Sequence, residues 1–268
     1  MRVPTMDTVP RPRDLADRDD PAVLYAKSYL LIRTSVGLIG ILLPVVLIVG
    51  EAYFLRGGVH VRGSLSAYYF TPMRDIFVAS LSVTGFLLVT YLAGQPRTWD
   101  FWLSLLAGIA VIGVVFFPTS RPELTAGAAR CGTVPEPAGC SPIQQSLGET
   151  PTATVHFCCA AVFMLSIAVL AFLFAYREQN RNASPGMARV QKLCGWLIIA
   201  AVAWVGLGRL LHADVWELTP LYLGEVVSVA AFGVSWLLTG RDLLRGLLPG
   251  RRAAPPAAAD RIQPEPAH

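Results

Sequence analysis

The sequence predicts an all-α membrane protein, a polytopic bundle of six transmembrane helices with both termini in the cytoplasm. Two observations lead to this fold class. Of the 268 residues, 54% are hydrophobic and only 15% are charged, whereas soluble domains carry about 25% charged residues. The apolar residues also collect into six stretches near the roughly 20 residues that a helix needs to cross the hydrocarbon core. Composition therefore excludes the soluble, collagen-like, disordered and small disulfide-scaffold classes.

Helix-breaking residues and charged segments separate the six stretches. The predicted spans are residues 33–55, 75–95, 100–118, 153–176, 191–212 and 220–239. A short hairpin with a glycine and a proline, residues 94–99, joins the second and third spans. Pro44 lies inside the first span, where it is expected to kink the helix. Small residues in the spans are expected at close helix contacts, namely Gly37, Gly40, Gly206, Gly208, Gly224 and Ser228.

The two ends of the chain differ in composition from the predicted membrane domain, residues 29–245. Residues 1–28 mix acidic and basic side chains and contain no apolar core, so a signal peptide is not expected there. Residues 246–268 are rich in proline and alanine. Both terminal segments are predicted to be disordered and cytoplasmic. The longest outer loop is predicted at residues 119–152.

The basic residues determine the predicted orientation. With the N-terminus inside, 15 of the 22 lysines and arginines flank the spans on the inner side and five lie on the outer side. Positively charged residues accumulate on the cytoplasmic side of membrane proteins. The sequence therefore predicts a multi-pass protein of the plasma membrane with both termini in the cytoplasm.

The cysteines agree with this orientation. Cys131 and Cys140 both fall in the predicted outer loop, and disulfides persist on the outer side of the membrane. A disulfide between them is predicted, with two free thiols as the alternative.

Polar residues near the outer ends of the spans form the candidate site. Charged groups in membrane helices are costly, so they indicate functional positions. The first outer loop adds hydroxyl groups and a charged pair to the same layer. The candidate ligand-binding residues are Glu51, Ser66, Tyr68, Tyr69, Arg74, Asp75, His156, Arg209, His212 and Glu225.

Each candidate also has a structural interpretation. Arg209 and Glu225 could form a buried ion pair between the last two spans. Asp75 suits the first turn of a helix because of the helix dipole. Tyr68 and Tyr69 could belong to the aromatic belt at the membrane surface. A ligand site is favoured because polar residues, which are costly in a membrane, recur near the outer ends of several helices.

Three functions are compatible with this layer. The first is binding or translocation of a lipid headgroup or small amphiphile, in which Arg74 and Arg209 recognise phosphate or carboxylate. The second is an outer-leaflet hydrolase or transferase that uses histidine and carboxylate chemistry with or without zinc. The third is a structural or assembly subunit. Whether the protein is an enzyme stays open.

The sequence gives little indication of a metal site or of nucleic-acid binding. His60, His156 and His212 show no metal-ligand spacing, so no metal and no cofactor are predicted. No basic patch is interleaved with aromatic residues, which argues against nucleic acid as a partner. The expected partners are membrane lipids and a small amphiphile, while the oligomeric state is left open.

Three short segments resemble a known group of membrane proteins. Residues 64–69 (SLSAYY), residues 71–77 (TPMRDIF) and residues 232–236 (FGVSW), together with Glu225, resemble uncharacterised bacterial six-span membrane proteins. Their layout is similar to that of the DRAM/Frag-type superfamily, which also has six helices and a polar first outer loop. The resemblance implies a helical membrane fold and a role in handling lipid or membrane-anchored molecules. It transfers no catalytic residues.

Overall fold

The computed structural model describes residues 21–56, 61–91, 98–122, 128–180, 185–211 and 219–247, and these ranges contain helices and no β-strand. The helices are α1 (Pro21–Leu55), a 3-10 helix (Leu65–Phe70), α2 (Arg74–Thr90), α3 (Trp99–Phe116), α4 (Pro142–Leu147), α5 (Glu149–Asn180), α6 (Pro185–Leu211) and α7 (Pro220–Leu247). The all-α prediction is confirmed for this part of the chain. Residues Leu31–Thr239 form one compact unit, while the start of α1 and the end of α7 belong to a second.

Five of these helices are long and apolar enough to cross a membrane. They are Leu30–Leu55 of α1, α3, α5, Pro185–Gly208 of α6 and Pro220–Thr239 of α7. Helix α2, in the place of the predicted second span, has 17 residues. At 1.5 Å per residue it rises about 25 Å, slightly less than the roughly 30 Å of a hydrocarbon core.

Several helices begin or end outside their predicted bounds. Helix α1 starts at Pro21, inside the segment predicted as disordered, because proline suits the first helical position and helix-forming residues follow it. The predicted outer loop contains the short helix α4 and the first turn of α5. Helix α7 continues to Leu247, past the predicted domain boundary. Residues 1–20 and 248–268 lie outside the described ranges.

Glycines bring two pairs of helices into close contact. A Cβ atom built on Gly40 of α1 would lie 3.1 Å from the Cα atom of Gly233 in α7. One built on Gly108 of α3 would lie 2.7 Å from the carbonyl oxygen of Gly85 in α2. In membranes, packing at small residues replaces the hydrophobic drive that joins helices in water. The expected contact at Gly40 is therefore confirmed.

The small residues near the α6–α7 contact behave differently from one another. A Cβ atom on Gly208 would lie 2.7 Å from Pro220, and one on Gly224 would lie 2.4 Å from Val205. A Cβ atom on Gly206, in contrast, would meet no atom within 4 Å. The expected helix contact is thus confirmed for Gly208 and Gly224 and wrong for Gly206, because a Cβ atom on Gly206 would lie in open space.

A buried arginine ties helices together at the end of the bundle opposite the candidate site. Arg33 of α1 is 2% exposed and donates a 2.6 Å hydrogen bond from Nε to the Tyr91 hydroxyl. Aromatic rings surround its guanidinium carbon at 4.7–5.2 Å from their centroids, those of Tyr91, Phe174 and Trp236. Cation–π contacts of this kind gain strength when the cation is removed from water.

An ion pair joins α3 to α5 at the same end. The carboxylate of Asp100, in the first turn of α3, is buried and pairs with Arg177 near the end of α5. Its negative charge also suits the N-terminus of α3. The charges of Arg33, Asp100 and Arg177 are thus placed where antiparallel helices share one end.

The longest outer loop folds into a small cap on the bundle. Cys131 and Cys140 form a disulfide, as predicted. The buried carboxylate of Glu149 accepts hydrogen bonds from the Arg121 amide at 2.8 Å and the Cys131 amide at 3.1 Å. Gln144 is also buried and donates to the Thr119 carbonyl at 3.0 Å. These bonds hold the loop against the ends of α3 and α5.

The close contact of Gly85 and Gly108 predicts that a single methyl group added at Gly108 destabilises the protein. We expect Gly108→Ala to lower the free energy of unfolding by about 1–3 kcal/mol, as overpacked cores do. The added Cβ would meet backbone atoms, the Gly85 oxygen at 2.7 Å and the Val89 nitrogen at 2.8 Å, which cannot rotate away. Thermal unfolding in detergent micelles measures this.

Gly186→Ala is the control, because a Cβ atom there meets nothing within 4 Å. Its stability should equal or slightly exceed that of the wild type. Equal stability of the two variants would contradict the close contact of α2 and α3.

Candidate functional site

The helix ends gather the site from distant parts of the sequence. The end of α1, the loop that holds the 3-10 helix, the end of α3 and the starts of α5 and α7 share one side of the bundle. Neighbouring long helices run antiparallel, so every second connection falls on this side. The layer of polar side chains predicted from the sequence lies here.

Glu225 is held by the N-terminus of the 3-10 helix. Its Oε2 atom accepts hydrogen bonds from the Ser64 hydroxyl at 2.7 Å and the Leu65 amide at 2.5 Å, and its Oε1 atom accepts a longer one of 3.5 Å from the Ser66 hydroxyl. Ser64 also caps the helix by accepting from the Ser66 amide at 3.1 Å. A carboxylate suits a helix N-terminus because amide N–H groups point outward there. The first outer loop is thereby fastened to the last helix.

Glu51 holds an arginine at the same level. The Arg62 guanidinium donates to Glu51 Oε1 from Nε at 2.8 Å and from Nη2 at 2.5 Å. The Glu51 side chain is 1% exposed and that of Arg62 is 24% exposed. Glu51 Oε2 is buried and has no hydrogen-bond partner among the described residues. The buried carboxylate of Glu51 thus holds the partly exposed guanidinium of Arg62.

Tyr68 lies under the loop, in an apolar cluster with Leu43, Leu47 and Phe77. It is fully buried. Burial, with smaller effects of Tyr222 and Glu51, raises the pKa of Tyr68 to about 12. Its hydroxyl group therefore stays protonated at neutral pH.

Tyr69 is buried in the same apolar cluster as Tyr68 and contacts the exposed Arg74. The Arg74 guanidinium stacks on the Tyr69 ring at 4.4 Å from the centroid and donates to its hydroxyl at 2.7 Å. Arg74 and Asp75 are exposed, and neither lines the three cavities described below. The structure does not bring Arg74 and Asp75 together with Glu225.

His156 of α5 donates a hydrogen bond to a backbone carbonyl at the end of α3. Its Nδ1 atom donates to the Phe117 carbonyl at 2.7 Å and lies 3.2 Å from the Val114 carbonyl. The ring is 2% exposed. Carbonyl oxygens of a last helical turn lack partners within the helix, so the histidine supplies a donor there and keeps its proton on Nδ1.

A cavity of about 560 Å³ lies between the first outer loop and the segment after α3. Arg62 contributes the charged group, and three hydroxyl groups, those of Ser64, Thr119 and Ser120, line the walls. This is within the range of volumes in which proteins bind small ligands. We call it the outer cavity. Arg62 and Ser64 connect it to the two carboxylates, Glu51 and Glu225.

Two further spaces lie beneath the outer cavity, and Glu225 lines both. A narrow space of about 50 Å³ among apolar side chains also reaches Ser66 and His156. An apolar groove of about 240 Å³ lies between α5, α6 and α7. The structure therefore brings three of the predicted site residues, Ser66, His156 and Glu225, to one space.

Other site predictions fall outside the described part of the chain or miss contributors. The side chain of Arg209 and all of His60 and His212 lie outside it, so the Arg209–Glu225 ion pair stays untested. Sequence reasoning missed Arg62, Ser64, Thr119 and Ser120. The signal for Arg62 was its position seven residues after the end of the first span, next to a serine-rich segment.

One group of potential metal ligands occurs among the described residues. Cys131, Glu136 and Cys140 have ligand atoms within 4.8 Å of one another. The two sulfurs are joined in the disulfide, and Glu136 accepts from the Gly132 amide at 3.1 Å. This group therefore serves the loop, because a metal needs thiolates.

The Glu225 contacts predict a stability cost for losing one hydroxyl group. We expect Ser64→Ala to lower the free energy of unfolding by about 1–3 kcal/mol, since it removes a helix cap and a donor to a carboxylate. Thermal unfolding in micelles measures the change. Ser120→Ala is the control, because Ser120 lines the same cavity without contacting Glu225. If both variants unfold alike, Ser64 does not hold Glu225.

Comparison with known proteins identifies a family. A family described as a protein of unknown function, DUF998, matches residues 38–240, a range that holds every described residue of the site. No curated protein and no solved structure shows significant similarity to the chain. The resemblance to the DRAM/Frag-type superfamily stays a prediction. Because the match covers more than half of the sequence, the chain belongs to the DUF998 family.

Proposed function

We propose that the protein is a plasma-membrane protein that binds, on its outer side, the polar headgroup of a lipid or small amphiphile. The outer cavity carries this proposal. It places the Arg62 guanidinium and the hydroxyl groups of Ser64, Thr119 and Ser120 around about 560 Å³. Such a set of donors suits a phosphate or carboxylate.

The buried carboxylate of Glu51 explains why Arg62 is suited to bind an anionic headgroup. A guanidinium carries five N–H donors in a rigid plane. Glu51 Oε1 receives two of them, from Nε and Nη2, and thereby fixes the direction of the side chain. Preorganised donors bind more tightly because less side-chain entropy is lost on binding. In this proposal Arg62 has the anion-binding role that the sequence predicted for Arg74 and Arg209, and the prediction for Arg209 stays untested.

The orientation of the protein is part of the proposal. We infer six spans, with α2 as the second, and both termini in the cytoplasm. The distribution of basic residues, 15 against five, supports this orientation, and so does the Cys131–Cys140 disulfide in the longest loop. The outer cavity then faces the outside of the cell.

Hydrolysis is not included in the proposal. Ser66, His156 and Glu225 share a space of only about 50 Å³, which holds about one or two water molecules. His156 Nδ1 is bonded to the Phe117 carbonyl, and the Ser66 hydroxyl donates to Glu225. This arrangement differs from the nucleophile–base contact that such chemistry requires.

Headgroup binding is tested with soluble short-chain lipids. We expect Arg62→Gln to weaken binding of dihexanoyl phosphatidylglycerol about 10- to 100-fold, as expected for a charge-assisted hydrogen bond worth roughly 1.5–3 kcal/mol. Isothermal titration calorimetry on the purified protein measures the affinity. Arg130→Gln is the control, since Arg130 is exposed and does not line the cavity.

A second variant guards against a folding defect. Ser120→Phe fills the outer cavity and removes no charge, so it should also weaken binding while thermal unfolding stays close to that of the wild type. If both cavity variants bind like the wild type, the outer cavity is not the headgroup site.

Orientation is tested with a membrane-impermeant maleimide on intact cells. After mild reduction, Cys131 and Cys140 should react from outside, and before reduction they should not, because they form a disulfide. The Cys131→Ser/Cys140→Ser double variant is the control for the remaining thiols. A cysteine in place of Arg189, which is exposed on the predicted inner side, should react only after the cells are opened. The reverse pattern would overturn the orientation.

A further inference from the structure

The apolar groove between α5, α6 and α7 lies within three candidate membrane spans, Glu149–Asn180, Pro185–Gly208 and Pro220–Thr239. Its volume is about 240 Å³. Apolar side chains form most of its walls, among them Phe157, Met164, Val202, Val205 and Leu221. The polar atoms at the groove belong to Glu225 and Ser228.

Gly206 leaves open space in the wall of the groove. A Cβ atom on Gly206 would meet nothing within 4 Å, whereas one on Gly208 or Gly224 would collide with α7 or α6. Gly206 and Ala161 are both exposed and both line the groove. The groove therefore opens sideways, toward the hydrocarbon of a surrounding bilayer.

The lateral opening and the apolar walls of the groove indicate what kind of molecule binds there. Only molecules dissolved in the bilayer reach a lateral opening at this depth, and the most abundant are lipid chains. The groove and the outer cavity share no lining residue, and the 2.7 Å hydrogen bond from Ser64 to Glu225 lies between them. Ser64 lines the outer cavity and Glu225 lines the groove.

We propose that the groove binds one hydrocarbon chain of the same lipid whose headgroup occupies the outer cavity. This inference rests on the proposed function and narrows it. The ligand is a chain-bearing lipid with an anionic headgroup, and not a soluble anion. Ser64 and Glu225 lie where the polar and apolar parts of that lipid join.

Photo-crosslinking tests the groove on the full chain. The protein is placed in phosphatidylcholine vesicles that contain a small fraction of phosphatidylglycerol with a diazirine in one acyl chain. After irradiation, mass spectrometry maps the labelled residues. We expect label on the groove residues of α5, α6 and α7, above that on other lipid-facing helices.

Gly206→Leu supplies the decisive variant, because its side chain fills the groove without meeting another atom of the described protein at Cβ. We expect groove labelling to fall about tenfold, as loss of burial for about two methylene groups implies. Gly186→Leu is the matched control on the same helix, since a Cβ atom there also meets nothing within 4 Å. Unchanged labelling in Gly206→Leu, or equal labelling of all lipid-facing helices, would overturn the proposal.

Two further arms separate this inference from headgroup binding. Diazirine-bearing phosphatidylcholine should label the groove less than phosphatidylglycerol, and Arg62→Gln should remove that difference while chain labelling persists. Equal labelling by both lipids in the wild type would show that the groove does not share its lipid with the outer cavity. If dihexanoyl phosphatidylglycerol does not bind while the groove is labelled, the headgroup proposal fails and the groove keeps its chain site.

Discussion

A carboxylate in a membrane bundle requires hydrogen-bond donors, because an unsatisfied charge in a medium of low polarity is costly. Glu225 meets this requirement with the hydroxyl of Ser64 and the amide of Leu65, which lie about 160 positions earlier in the chain. The contact fastens the first outer loop over the start of α7. The outer cavity, the narrow space and the groove all border on these residues.

The same requirement organises both ends of the bundle, with different results. At the end opposite the candidate site, Arg33 is enclosed by aromatic rings and Asp100 is paired with Arg177, so the charges lock helices together. At the end that holds the candidate site, Glu51 and Glu225 are buried while Arg62 lines an open cavity. Charge at one end therefore joins helices, and charge at the other borders a cavity, which is the basis of the proposed headgroup binding.

The sequence predicted the residues at the outer layer better than it predicted their partners. Glu51, His156 and Glu225 were found because polar groups near helix ends are conspicuous in apolar stretches. Among the described residues, Glu51 accepts from Arg62, and Glu225 accepts from the Ser64–Leu65 segment. Loop residues have no hydropathy signal, so a pattern of spans cannot show which of them folds onto a helix end.

Sequence alone determined the helical membrane architecture, the grouping of polar residues by side and the disulfide, because these depend on hydropathy, helix length and loop position. Only the tertiary structure decided that His156 caps α3, that Arg74 stacks on Tyr69 at the surface and that Gly206 borders open space. The physical reason is that helix rotation and loop path set side-chain contacts. Neither is encoded in a count of apolar residues, since both arise from how all the helices pack at once.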